Sequence, residues 1–286
     1  MWLLFAFLTA FFTSLQDVFS KRIIKKVDIY LIAWSGIFFT LPFYCLALPF
    51  QPIPKIGWPF WPALAMSTLI LSFAVVFYVK AIKYSDLSLS VPILTITPLL
   101  LLVTSPIILG EFPSPIGIFG VFLIISGSYL LFFKNQQEGF FQPFRNLFKN
   151  KGARYMLAVA VLYSVGANVD KIGVMNSSPF WWSFILYSFV SLSLTIVIFR
   201  KVENLGPQIK SSFLGLVLLG GCSAAALIFN MLAIKIALVP YVIAIKRTSV
   251  IITSLLGFVF FKEPAFKGRI VAIVLMVLGV MLISFS

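Results

Sequence analysis

Two adjacent cations, Lys246 and Arg247, lie inside a run of apolar residues from 238 to 261. As a helix this run would be about 36 Å long at about 1.5 Å per residue, with the pair near its middle. A cation at that depth costs at least about 2.5 kcal/mol of insertion free energy. Arginine offers a planar fork and lysine a compact charge, and both suit carboxylate or phosphate. The doublet therefore predicts an anion site in a water-filled cavity; the alternatives are an ion pair with Asp17 or Asp170, or snorkelling to the interface.

Other side chains in apolar segments are candidates for lining the same cavity. These are Gln16, Trp34, Tyr163, Asn168, Trp182 and Asn230. For the polar members the alternative is hydrogen bonding between helices, and for the tryptophans a place at the membrane interface. Asp17, four residues before Lys21, is a candidate for proton coupling or for an ion pair. Asp170, next to Lys171, is predicted to anchor its helix at the interface.

The residue set argues against several kinds of chemistry. The chain has no histidine and two cysteines, both in apolar segments, so neither a histidine metal site nor a disulfide framework is predicted. No G-x-x-x-x-G-K-[ST] sequence occurs, which excludes a Walker-type ATP site. Glu111 and Glu263, at helix–loop junctions, are predicted to be structural. We expect no catalytic residue, no metal and no cofactor.

The composition predicts an all-α membrane protein. Hydrophobic residues make up 61% of the chain, charged residues 10%, and mean hydropathy is +1.08; soluble domains are nearer half apolar. Segments long enough to cross a bilayer lie at about 2–20, 29–49, 59–82, 88–109, 115–133, 153–171, 179–199, 211–234, 238–261 and 267–285. Pro115 and Pro179 are expected at helix starts, and Pro42, Pro92, Pro98 and Pro106 are expected to kink their spans.

The basic residues predict the orientation of these spans. Of 22 Lys and Arg residues, only Lys55, Lys171 and Lys235 fall on one side, and all the others except the doublet fall on the opposite side. The positive-inside rule makes the richer side cytoplasmic and places both termini outside. The first segment lacks a basic region and an A-x-A site, so it is predicted to be a retained span in a cell (inner) membrane.

The sequence repeats itself with an offset of about 150 residues. AIKYSDLSLSVPI (81–93) matches AIKIALVPYVIAI (233–245), and Gly127 matches Gly279. Five spans in each copy would insert the second copy upside down, which is typical of secondary transporters with a midplane site. We predict a first repeat at 1–134, a cytoplasmic linker at 135–151 and a second repeat at 152–286. The glycines are expected to pack helices five and ten within the molecule.

The chain resembles the drug/metabolite transporter superfamily, and within it the ten-helix EamA-type transporters. The resemblance is carried by LGEFPSPIGIFGVFLIISGSYLL (109–131) and FFKEPAFKGRIVAIVLMVLGVMLIS (260–284), each a Gly/Glu turn before a glycine-spaced helix. It implies a central cavity inside helices one to four and six to nine. Lys246 and Arg247 also resemble the doublet with which plastid triose-phosphate translocators hold phosphate. The outward N-terminus departs from many EamA-type proteins, which carry basic residues before the first helix.

The leading hypothesis is a secondary transporter of a small organic or phosphorylated anion. The alternatives are an exporter of amino acids or amphipathic compounds, with the doublet held structurally, and a flippase of an anionic lipid. The expected partners are a small, anionic solute and the lipid bilayer, without nucleic acid. The chain is expected to be a monomer or a weak homodimer.

Overall fold

The computed structural model describes residues 1–24, 26–84, 91–132, 150–261 and 269–286, and over these residues it is helical without strands. Its α-helices are α1 (Trp2–Ile23), α2 (Ile29–Phe38), α3 (Leu41–Ala47), α4 (Phe60–Tyr84), α5 (Thr97–Leu109), α6 (Pro115–Phe132), α7 (Lys151–Met175), α8 (Pro179–Lys201), α9 (Leu205–Ile236), α10 (Val239–Lys246), α11 (Ser249–Phe261) and α12 (Arg269–Ser284). Two 3₁₀ segments, Leu48–Phe50 and Val91–Ile96, follow α3 and precede α5.

The apolar segments of the sequence coincide with these helices. Over the described residues, seven helical stretches are long and apolar enough to span a membrane, and three shorter apolar helices accompany them. The fold-class prediction is confirmed, whereas the count of ten membrane crossings stays a prediction. Lys25, Glu263 and most of the predicted linker 135–151 lie outside the described residues.

Prolines and glycine account for several helix boundaries. Pro115 and Pro179 begin α6 and α8, where a missing N–H removes no intrahelical bond. Pro42 and Pro98 each occupy the first turn of a helix that follows a break in its span, as predicted. Pro106 lies inside α5 without ending it, and that helix stops at Gly110, whose φ of 68° is left-handed.

The described chain forms two compact units, each drawn from both halves of the sequence. The first unit contains Met1–Phe73 and Val169–Ile236, and the second contains Ala74–Asn168 and Ala237–Ser286. The repeat boundaries are a different division of the chain and stay a prediction. Nothing in the order of hydrophobic segments distinguishes these two divisions.

In the first unit, α1 packs antiparallel along α9. The ring of Phe229 lies between those of Phe5 and Phe12, with centroid separations of 6.1 and 5.8 Å. Ile23, at the other end of α1, meets α9 at Gly215. A buried cluster that includes Leu31 and Leu216 joins α2 to this pair.

In the second unit, α6 and α12 approach each other through their glycines. A Cβ on Gly120 would lie 2.7 Å from the carbonyl oxygen of Gly279, and a Cβ on Gly279 would lie 2.5 Å from that of Gly120. A Cβ on Gly127 would be equally close, at 2.5 Å from the carbonyl oxygen of Ala272. The predicted glycine packing of the fifth and tenth apolar segments, 115–133 and 267–285, is therefore confirmed in α6 and α12.

Asp170 differs from its predicted place as an interface anchor. The side chain is 7% exposed, and its Oδ1 accepts a 2.8 Å hydrogen bond from the buried Ser67 hydroxyl on α4. Burying an ionised carboxylate is costly without such partners. The prediction was wrong because a position near a helix end says nothing of the neighbouring helix that covers it.

Candidate functional site

The predicted span that carries the doublet is two helices rather than one. Helix α10 ends at Lys246. A turn formed by Arg247 and Thr248 follows, and α11 begins at Ser249. The backbone N–H groups of Arg247 and Thr248 donate to the carbonyls of Ala244 and Ile245, three residues back, at 3.0 and 2.9 Å. The Thr248 hydroxyl donates to the same Ile245 carbonyl at 2.7 Å, a back-bond that commonly bends helices.

A similar tightening occurs in the first half of the sequence. The 152-residue offset relates 243–248 to the 3₁₀ segment Val91–Ile96, which precedes α5. Next to it, the Thr97 hydroxyl donates to the carbonyl of Leu94, three residues back, at 2.8 Å. Helices α5 and α10 pack against each other in the second unit. Interrupted helices at related positions of two repeats are the usual pointer to a transporter binding site, and 3₁₀ stretches often mark hinges.

The doublet marks a change in burial along this span. The seven residues Val239 to Ile245 are all buried, whereas Lys246 and Arg247 are half-buried. Arg247 lies close enough to the half-buried Tyr163 of α7 for its positive charge to act on the tyrosine hydroxyl. Both cations also take part in further interactions within the protein. An incoming anion would therefore compete with existing contacts of these side chains.

The start of α10 is fixed by polar contacts that the sequence did not predict. The Glu111 carboxylate accepts a 2.9 Å hydrogen bond from the backbone N–H of Val239. The Tyr241 hydroxyl accepts from the N–H of Ser114 at 2.9 Å and from the hydroxyl of Ser286 at 2.7 Å. Glu111 is thus structural, as predicted, and a carboxylate suits the positive end of a helix. These contacts hold the doublet about 12 Å along α10 from its start.

Asn168 is occupied by contacts between helices. Its Oδ1 accepts from the Ser105 hydroxyl at 2.7 Å, and its Nδ2 donates to the Thr104 hydroxyl and to the Ser164 carbonyl, each at 3.0 Å. One amide proton therefore joins α7 to α5, and the other is bonded to the preceding turn of α7 itself. A substrate role for Asn168 stays a prediction, and it would require some of these bonds to open.

In the first unit, Gln16 and Trp34 lie on faces that meet neighbouring helices. A Cβ on Gly36 would lie 3.9 Å from the Nε2 of Gln16 and 3.6 Å from the Ser223 hydroxyl of α9. The Trp34 indole N–H donates to the Thr195 hydroxyl of α8 at 2.9 Å, and its ring stacks on Phe38 at 4.3 Å. Trp34 therefore joins α2 to α8, and its part in a cavity wall stays a prediction.

The other first-unit candidates have contrasting environments. Trp182 is fully buried and meets Phe60 edge to face at 5.4 Å, so it would touch a substrate only after the surrounding helices moved. Asn230 is 6% exposed, and its Oδ1 has no hydrogen-bond partner among the described residues. Asp17 is exposed on α1 and interacts within the protein.

Sequence predictions thus fall into two groups in the structure. The second unit contains Lys246, Arg247, Tyr163 and Asn168, and the first contains Gln16, Asp17, Trp34, Trp182 and Asn230. The electrostatic influence of Arg247 on Tyr163 links two residues about 84 positions apart, and no local pattern predicts it. Among the described residues, no group of three or more His, Cys, Asp or Glu side chains could hold a metal ion.

Comparisons with known proteins bear on the family and the fold of the chain. The model of the EamA-like transporter family matches residues 1–133 and 150–285. A protein of known crystal structure is 17% identical and superimposes with a TM-score of 0.77, over 99% of this chain and 96% of its own. At that identity the likeness concerns the fold alone. No curated protein sequence matches.

Proposed function

The chain belongs to the EamA-like transporter family, and from this premise we propose that it carries a small organic or phosphorylated anion by secondary active transport. Family membership makes it a multi-pass membrane protein that transports small solutes. The anionic cargo is supported by one observation above all: two adjacent cations lie at the interruption of a spanning segment. Cations placed within a bilayer usually mark a substrate or ion pathway.

The chemistry of the doublet suits a carboxylate or phosphate. The Arg247 guanidinium offers parallel N–H donors that match two oxygens of one anion, and the Lys246 ammonium adds a charge without fixed geometry. Adjacent positions on a helix point about 100° apart, and Arg247 keeps helical backbone angles (φ −65°, ψ −17°), so an anion bound by both cations would lie between their two directions. Tyr163, near Arg247, adds a hydroxyl that can donate to an anion.

Transport would proceed by alternating access around the midplane. In this proposal the 3₁₀ segment before α5 and the turn after α10 are the places where backbone angles change, because neither has regular α-helical hydrogen bonding. Asp17, exposed on α1, is the proposed carrier of a coupled proton. Counter-exchange of a second anion is the other source of driving force.

Export of amino acids or amphipathic compounds is the second candidate function. It is favoured by Asn230, whose buried Oδ1 offers an acceptor without a partner among the described residues. An ammonium group would satisfy that acceptor, since every ammonium N–H is a donor. Phe229, the neighbouring residue, stacks with Phe5 and Phe12.

A thermal-unfolding screen of the purified chain tests the proposal. The compounds are monocarboxylates, dicarboxylates, phosphate esters, zwitterionic amino acids and hydrophobic amines, each at several concentrations. A ligand at 100 times its dissociation constant adds about 2.7 kcal/mol of stability. We expect stabilisation by anions that is lost in the Lys246→Ala, Arg247→Ala double variant. Stabilisation by amines alone, equal in that variant and lost in Asn230→Leu, would support export instead. Scrambling of a labelled anionic lipid in vesicles, without movement of a soluble anion, would identify a flippase.

Orientation in the membrane is tested by cysteine labelling. We expect a cysteine appended after Ser286 to react with an impermeant maleimide added to intact cells, and a cysteine at position 146 to be protected. The physical reason is the excess of cations on the side that carries residue 146, which favours retention in the cytoplasm. The background is a chain in which Cys45 and Cys222 are replaced by serine. Labelling at 146 with protection at the C-terminus would reverse the topology.

A further inference from the structure

A group of basic and aromatic side chains lies where the end of α4 meets the start of α7, in the second unit. Lys80 and Tyr84 lie on α4, and Tyr155 lies on α7. The Lys80 ammonium lies over the Tyr155 ring at 5.6 Å from its centroid, and the Tyr84 ring stacks on the same Tyr155 ring with centroids 6.0 Å apart. Lys151 precedes Tyr155 by one helical turn, on the same face of α7. We call Lys80, Tyr84, Lys151, Arg154 and Tyr155 the interfacial cluster.

The positions of the two cations on α7 are electrostatically unfavourable within the fold. Lys151 and Arg154 occupy the first turn of that helix, where the helix dipole is positive and favours anions instead. The cap is a neutral side chain, because the Gly152 N–H donates to Asn150 Oδ1 at 2.8 Å. Both cations are exposed. An external anion at this point would relieve the repulsion between the helix end and its own side chains.

The described part of the second unit supplies no carboxylate at this end. Its only acidic residue is Glu111, which is bound to the start of α10. Helix α5 separates Glu111 from the 3₁₀ segment, whose Ile93 and Leu94 pack with Ala81 and Ala153. Thirteen residues of helix correspond to about 20 Å. Over the described residues, the interfacial cluster therefore combines three cations, Lys80, Lys151 and Arg154, with no carboxylate.

We propose that the interfacial cluster binds the phosphate headgroup of an anionic phospholipid. A lipid fits better than a soluble phosphate because the cluster stands at the ends of two apolar spanning helices, on the side predicted to be cytoplasmic. Tyrosines at that level are typical of the membrane interface, and basic pockets between helices bind anionic headgroups there. The site is separate from the doublet, so it holds whether or not the transported solute is an anion.

The test uses the purified full chain in a neutral detergent. Phosphatidylglycerol, phosphatidylcholine and inorganic phosphate are added separately, and bound lipid is counted by native mass spectrometry alongside thermal unfolding. We expect phosphatidylglycerol to bind and stabilise, with an affinity that falls as salt is raised. Each cation near an anionic surface is worth roughly fivefold in affinity, so Lys151→Gln with Arg154→Gln should lose about 25-fold.

The control removes the same charge elsewhere. Arg200→Gln with Lys201→Gln neutralises two exposed cations in the last turn of α8, where the dipole already favours them. Binding of phosphatidylglycerol should be retained in this control variant. It should also be retained in Arg154→Lys, which keeps the positive charge. Equal loss in both double variants, equal binding of phosphatidylcholine, or equal stabilisation by inorganic phosphate would each overturn the proposal. If the double glutamine variant does not fold, Lys80→Gln and Tyr155→Leu supply the same comparison.

Discussion

Replacing either member of the doublet by alanine should weaken binding of the anion by roughly 10- to 150-fold, because a charge-assisted hydrogen bond is worth about 1.5 to 3 kcal/mol. The measurement is the dissociation constant of the best anion from the screen, for Lys246→Ala and Arg247→Ala. Folding should survive, since removing a cation from the bilayer relieves an insertion penalty of a few kcal/mol. The matched control is Lys235→Ala, which removes an exposed cation from the last turn of α9.

Substitution of Arg247 by lysine separates charge from geometry. If one charge is enough, Arg247→Lys should bind nearly as well as the native chain; if two parallel donors are needed, it should resemble Arg247→Ala. Tyr163→Phe, which removes only the hydroxyl near Arg247, should cost less than either alanine variant because it removes one hydrogen bond and leaves both positive charges in place.

Two results would contradict the anion hypothesis. Full transport by a well-expressed Lys246→Ala, Arg247→Ala double variant would show that the doublet is not needed for cargo. A structural ion pair would give another pattern. Each single variant would leave one charge inside the protein without its partner and would lower the free energy of unfolding by several kcal/mol. In that case Lys246→Gln combined with Asp17→Asn, or with Asp170→Asn, should recover the stability that the single variants lose.

Adding one methyl group between α6 and α12 should destabilise the second unit. Gly279→Ala would place a Cβ 2.5 Å from a backbone oxygen on the opposite helix, and only backbone movement can relieve such a contact. Overpacking of this kind costs about 1 to 3 kcal/mol, or roughly 3 to 10 °C in unfolding temperature for a chain of this size. Thermal unfolding in detergent, followed by the loss of monodisperse protein, measures it.

The control for this prediction is Gly206, which lies at the start of α9. A Cβ on Gly206 would meet nothing within 4 Å, so Gly206→Ala should leave stability unchanged or raise it by up to about 1 kcal/mol through helix propensity. Gly120→Ala should resemble Gly279→Ala, and the double variant should cost less than the two effects added, because both methyl groups enlarge one contact. Equal unfolding temperatures for Gly279→Ala and Gly206→Ala would disprove the close approach.

The sequence alone determined the membrane class, the position of the apolar helices and several of their boundaries. These follow from local properties. Apolar length decides which segments suit a bilayer. Pro42 and Pro98 restrict the backbone wherever they stand, whereas Gly110 allows the left-handed φ at which α5 ends. The glycine contact was also predictable, because Gly120, Gly127 and Gly279 recur on long apolar helices and packing in membranes favours small residues. The doublet stood out for the same reason, as charge at a depth where charge is costly.

The tertiary structure decided what each polar side chain does. Asn168 and Asn230 are both amides in apolar helices, yet the first has both amide protons bonded and the second has a buried oxygen without a partner among the described residues. Asp170 is covered by Ser67, and Glu111 binds the start of a helix 128 residues away. Composition and periodicity give each residue its hydrophobicity and its face, whereas hydrogen bonds depend on which distant helix lies opposite that face. The same dependence on distant neighbours divides the chain into units that take helices from both halves.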